Sequence, residues 1–135
     1  MRAFIFTALL LNGPAIAAET FTCPPFIKLT PHATVQPVPG WQPLPMAEHH
    51  VLTGARLFDG DPADLADLVP DKNNAAGMAW QLFPNMSYTF VCTYAGTEMT
   101  MAAKVPTGAK QCATATKTFI NSRPPNNTYI DASCR

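Results

Sequence analysis

Residues 86–118 read MSYTFVCTYAGTEMTMAAKVPTGAKQCATATKT. Three runs in this stretch, Ser87–Tyr94, Thr97–Val105 and Lys110–Thr118, are rich in β-branched and aromatic residues. They are separated by turn signals at Ala95-Gly96 and Pro106-Thr107-Gly108. The spacing predicts an antiparallel meander of three strands. Beyond it, a turn over Arg123–Asn127 would return the chain along Tyr129–Cys134. Before it, Ala79–Phe83 reads as a short strand that sends Trp80 and Leu82 to one face, and Val51–Asp59 as a longer one closed by Gly60. A first strand opens near Phe26, after a Pro24-Pro25 pair that cannot donate to a ladder.

Between these strands lie less regular segments. Pro31–Pro45 carries five prolines around Gly40-Trp41 and suits an extended polyproline II path held down by Trp41. Asp61-Pro62 predicts a capped helix of a turn or two near 62–69, with Leu65, Leu68 and Val69 as its apolar stripe and Pro70 as its end, and an irregular strand as the alternative. Asn73–Gly77 reads as a loop. The expected fold is all-β, a small disulfide-stapled antiparallel sandwich or partly open barrel with that one helix.

The 135 residues bound the chain to one domain. Residues 1–17 have the layout of a secretory leader: Arg2, an apolar run Ala3–Leu11, a break at Asn12-Gly13-Pro14 and the small-residue site Ala15-Ile16-Ala17. Residues 18–135 would form the exported domain, with no membrane span after cleavage and a periplasmic or secreted location. Without Arg2, eight Lys/Arg face nine Asp/Glu, a balance that gives no general attraction to nucleic acid. The charge is uneven, however. Asp59, Asp61, Asp64, Asp67 and Asp71 are bunched, while Lys104, Lys110, Lys117, Arg123 and Arg135 dominate the C-terminal part.

Export makes disulfides the expected state of Cys23, Cys92, Cys112 and Cys134. A hairpin over Arg123–Asn127 places Cys112 opposite Cys134 and leaves Cys23 for Cys92. Cys92–Cys112 with Cys23–Cys134 is the second choice.

No catalytic set emerges. Ser87, Ser122 and Ser133 lack a nucleophile elbow, and oxidised cysteines make no Cys–His pair. Asp59 and Asp61 match the carboxylates of a glycosidase by residue type only, and Asp-Gly-Asp before proline is turn chemistry. No cofactor is implied. Met46, His49 and His50, with Met99-Thr100-Met101, are the candidate copper or zinc ligands, since thioether and imidazole suit these ions.

The ordered set Cys23-Pro24, Gly40-Trp41, Leu57-Phe58-Asp59-Gly60, Leu68-Val69-Pro70-Asp71, Trp80-x-Leu82, Cys92-x-Tyr94-x-Gly96-Thr97, Val105-Pro106 and Cys112 resembles an uncharacterised family of small secreted bacterial proteins designated by a locus tag of the STY series. That resemblance implies export and no particular activity. Tyr88–Gly96 is similar, over a shorter span, to the periplasmic inhibitors of c-type lysozyme. Together these readings predict a non-enzymatic binding protein, an inhibitor or immunity protein for a secreted toxin or cell-wall hydrolase. Its partner would be another envelope or secreted protein, with a periplasmic metal-handling protein as the alternative. Phe58, Asp59, Asp61, Asp71, Tyr94 and Thr97 are the candidate interaction residues, and their mark would be an exposed patch joining aromatics to the acidic loop.

Overall fold

The computed structural model describes residues 18–30, 38–40, 42, 47–118 and 128–135. The leader, Trp41, Met46 and the Arg123–Asn127 turn lie outside them. The described chain forms two antiparallel sheets facing each other. In the first, β1 (Glu19–Cys23) pairs with β9 (Thr128–Cys134), then come β8 (Gln111–Thr118), β5 (Gly77–Gln81) and β4 (Lys72–Asn74). In the second, the order is β2 (Phe26–Lys28), β3 (His49–Asp59), β6 (Tyr88–Tyr94) and β7 (Met101–Lys104).

Strand alternation builds the core. Tyr88, Phe90, Cys92 and Tyr94 send every second side chain of β6 inward, against Trp80, Cys112, Ile130 and Ala132 of the first sheet. On β3 the inward set is Leu52, Ala55 and Leu57, whose spacing changes parity between Leu52 and Ala55. A register shift between Leu52 and Gly54 accounts for it, because one extra residue in a strand swaps its faces. Trp80 also anchors the neighbouring loop, donating from Nε1 to the Leu68 carbonyl at 3.1 Å.

Prolines move the chain between sheets. Pro24-Pro25 separates β1, which lies on β9, from β2, which lies on β3. The same happens at Pro106–Gly108, and there the expected meander is corrected. Val105 still donates to Tyr88 in the second sheet, but Leu82 takes the Lys110 carbonyl in the first. β8 therefore crosses over to pair with β5 and β9, and β7 is cut to Met101–Lys104. Asn73–Gly77, expected as a loop, contributes instead to a hairpin in which Lys72–Asn74 pairs with residues 77–79.

The expected helix over 62–69 is likewise shorter. Asp61 does cap, its side chain accepting from Ala63 N–H at 2.9 Å, but only a 3-10 turn over Pro62–Asp64 forms. Leu65 then turns left-handed at φ 57°. Residues 66–68 instead bond to the edge of β3, Asp59 N–H to the Ala66 carbonyl and Leu68 N–H to the Leu57 carbonyl. Of the three stripe residues only Leu68 packs against the core.

Two disulfides staple the sandwich. Cys23–Cys92 joins β1 to β6 and hence one sheet to the other, while Cys112–Cys134 joins directly opposite residues of β8 and β9. The second pair flanks the hydrogen-bonded pair Gln111 and Arg135, so it occupies a close, non-hydrogen-bonded position of the ladder.

Candidate functional site

The six candidate interaction residues do not form one surface. Phe58 is 5% exposed, under the Arg56 guanidinium at 5.1 Å. Asp59 ends β3, Asp61 caps the 3-10 turn, and Asp71 accepts from the Gln81 N–H at 2.6 Å. Tyr94 and Thr97 lie at the other end of the β3–β6 ladder, which runs from Asp59↔Tyr88 to Leu52↔Tyr94. The separation is about 20 Å at strand rise. Thr97 accepts from Met99 N–H at 3.0 Å. Tyr94 is buried and donates its hydroxyl to the Pro24 carbonyl at 3.0 Å, tying β6 to the corner between β1 and β2. Most of the Tyr88–Gly96 run, similar to the lysozyme inhibitors, is thus a central core strand, Tyr88–Tyr94.

Burial raises the Tyr94 phenol above its ordinary value of 10.0. The folded state favours the neutral phenol, so this stabilisation is complete below pH 10 and is lost as pH rises through the raised value. The urea midpoint should fall above about pH 10 more steeply in the parent than in Tyr94→Phe. Equal falls would remove Tyr94 as the source.

The metal ligands also diverge. His49 is exposed and stacks on Phe26 at 5.6 Å, whereas His50 turns inward and bonds through Nδ1 to the Ala95 carbonyl at 2.8 Å. Successive strand residues face opposite ways, so the two imidazoles cannot share an ion. Met46 lies outside the described residues. Among the described residues no group of three His, Cys, Asp or Glu side chains could hold a metal.

What the fold does assemble is an end formed by two joined loops. The first follows β3. Gly60, at φ 74°, makes the turn that only glycine adopts freely, and the 3-10 turn follows. The loop is fastened behind by the bonds of residues 66–68 to β3 and by the Arg56–Asp67 ion pair. Leu65 and Val69 are left 82% and 88% exposed.

The second loop connects β5 to β6. Phe83 N–H donates to the Tyr88 hydroxyl, and Met86 N–H closes a turn onto the Phe83 carbonyl, both at 3.1 Å. Here Phe83 is 68% and Met86 40% exposed. The loops meet where Gly60 N–H donates to the Ser87 carbonyl at 2.8 Å and the Gly60 carbonyl accepts from Thr89 Oγ1 at 2.7 Å. Lys104 Nζ reaches the same Thr89 hydroxyl at 3.2 Å. Asp59, Asp61 and Asp64 make no ion pair among the described residues.

Elsewhere the surface is concave and bland. A shallow cleft of about 230 Å³ between the β1 and β7 edges is lined by Phe21, Phe90, Met101 and small side chains. A larger hollow of about 450 Å³ is lined by alanines, threonines, Phe21, Ser133 and Asp131. The Asp131 carboxyl is held below the ordinary carboxylate range by hydrogen bonds from Lys117 and Thr22. Apolar side chains held outward and rimmed by carboxylates can dock a protein.

A family model described as type VI secretion system Tli immunity protein matches residues 47–135. The chain is also similar to a protein of Azospirillum brasilense named as an uncharacterized 16.3 kDa protein in the trpG 5' region. It is 33% identical over an alignment of 129 residues, and the match covers 83% of each chain. No solved structure matches.

Proposed function

The chain belongs to the type VI secretion system Tli immunity protein family, and from that premise we propose that it neutralises a secreted toxin by binding it stoichiometrically in the periplasm. The family match carries the reading. It spans β3 to β9 and therefore both loops of the docking end. Immunity of this kind is non-enzymatic, in keeping with a surface that offers contact area rather than reacting groups. Two disulfides suit an oxidising compartment. Export through the leader-like residues 1–17 completes the proposal, since the chain must meet the toxin after it is delivered.

Survival of target cells under attack by a strain delivering type VI toxins tests this reading. Cells making the full chain should outlive cells lacking it, and the same chain without residues 1–17 should protect poorly although it accumulates. Equal killing of all three strains would sink the proposal. Protection by the leaderless chain alone would move the encounter into the cytoplasm.

A further inference from the structure

We propose that the joined loops after β3 and between β5 and β6 form the toxin-binding surface. Leu65 and Phe83 are its anchors, and the complementary toxin surface is an apolar depression bordered by lysine or arginine. This rests on the immunity reading and adds to it the place of docking and the chemistry of the partner.

Clustering is the first argument. Single exposed apolar residues are ordinary on a protein surface, and grouped ones mark contacts. Four of the eight exposed large hydrophobic side chains among the described residues are Leu65, Val69, Phe83 and Met86, on two loops bonded to each other through Gly60 and Ser87. Leu65 supplies the second. A left-handed backbone costs a leucine about 1–2 kcal/mol, and the free protein recovers nothing by burying its side chain. The left-handed turn ends the 3-10 turn, with Leu65 N–H donating to the Pro62 carbonyl at 3.1 Å, and it leaves the side chain pointing outward.

Rigidity is the third argument. The Asp61 cap, the Arg56–Asp67 pair, the ladder bonds of 66–68 and the Phe83–Met86 turn hold both loops before any partner arrives. Little conformational entropy is then lost on docking. Charge names the partner. Asp59, Asp61 and Asp64 lie on the same loop as Leu65 and make no ion pair among the described residues, whereas Arg56 is taken up by Asp67 and Lys104 reaches Thr89. An acidic rim around apolar anchors steers a cationic surface and disfavours an acidic one. The β1–β7 cleft has no comparable charge in its lining.

The probe is the type VI toxin recovered with the oxidised wild-type chain from attacker secretions, purified and titrated back by calorimetry. Leu65→Gly with Phe83→Asp should weaken binding at least about 30-fold, the loss typical of two anchor residues. Met99→Asp, at the opposite end, should bind as the parent does. Leu65→Gly alone should melt no lower than the parent, because glycine fits the left-handed position, and should still bind more weakly. Asp61→Asn with Asp64→Asn should slow association and flatten its salt dependence, asparagine keeping the cap. Parental affinity in the folded double variant would overturn the surface while leaving the immunity reading intact. A wild-type chain that retains no toxin would overturn that reading, and the surface with it.

Discussion

Gly77→Ala is expected to destabilise the fold by about 3 kcal/mol or more, the joint cost of a disallowed backbone and an overfilled contact. Gly77 has φ 152°, a conformation that side chains rarely adopt. An added Cβ would lie 2.8 Å from the Thr114 carbonyl carbon and closer still to its oxygen. Neither of these atoms can yield, because both are backbone of the central strand β8. The methyl can be accommodated only by lifting β5 away from β8. That movement would break the Met78 N–H bond to Thr114 Oγ1 and withdraw Trp80 from the core. Loss of β5 also strands β4, whose ladder contact among the described residues is β5 alone. Urea unfolding followed by tryptophan fluorescence reads the effect. A midpoint within error of the parent would mean that β5 and β8 do not approach this closely.

The second large effect concerns the inter-sheet disulfide. Replacing Cys23 and Cys92 together by alanine should cost about 4 kcal/mol, against about 3 kcal/mol for Cys112 and Cys134, because the stabilisation grows with the length of chain enclosed. The separations are 69 and 22 residues. Placement sharpens the contrast. Among the described residues β1 is an edge strand, held laterally by β9 alone, and Cys92 is its covalent tie to the facing sheet. Cys112 and Cys134 already face each other in a ladder that runs on to Thr118 and Thr128. Chemical denaturation of the two double variants decides the order. A larger loss from the within-sheet pair would contradict the enclosed-loop account.

Much of this architecture was legible because alternation and burial share a period. Leu57, Tyr88, Phe90, Cys92 and Ile130 all occupy inward positions that period-2 patterning marks. Sheet membership was not. Pro106-Thr107-Gly108 has the chemistry of a hairpin turn, and nothing local distinguishes a turn within one sheet from a corner between two. The hairpin 72–81 was missed because Lys72–Asn74 is polar and fully exposed, an edge with no inward face to betray it.

Of the six candidate interaction residues, Phe58 and Tyr94 are buried by their own strands. Phe83 carried a usable signal: with Trp80 and Leu82 inward it must alternate outward, immediately before Pro84-Asn85. Leu65 carried none. Its exposure follows from a left-handed turn that helix capping rules, applied to Asp61-Pro62, do not anticipate.

The connectivity of the two bridges also bears on how the polypeptide matures. The cysteines appear in the order 23, 92, 112 and 134, and the native bonds join the first to the second and the third to the fourth. A chain threaded across a membrane from its N-terminus and oxidised as it emerges would pair neighbours in order of arrival, and for this topology that order is already correct. Thiol–disulfide exchange to undo wrong pairs is slow and needs a free thiolate. Sequential oxidation of such a chain reaches this pairing with no exchange step.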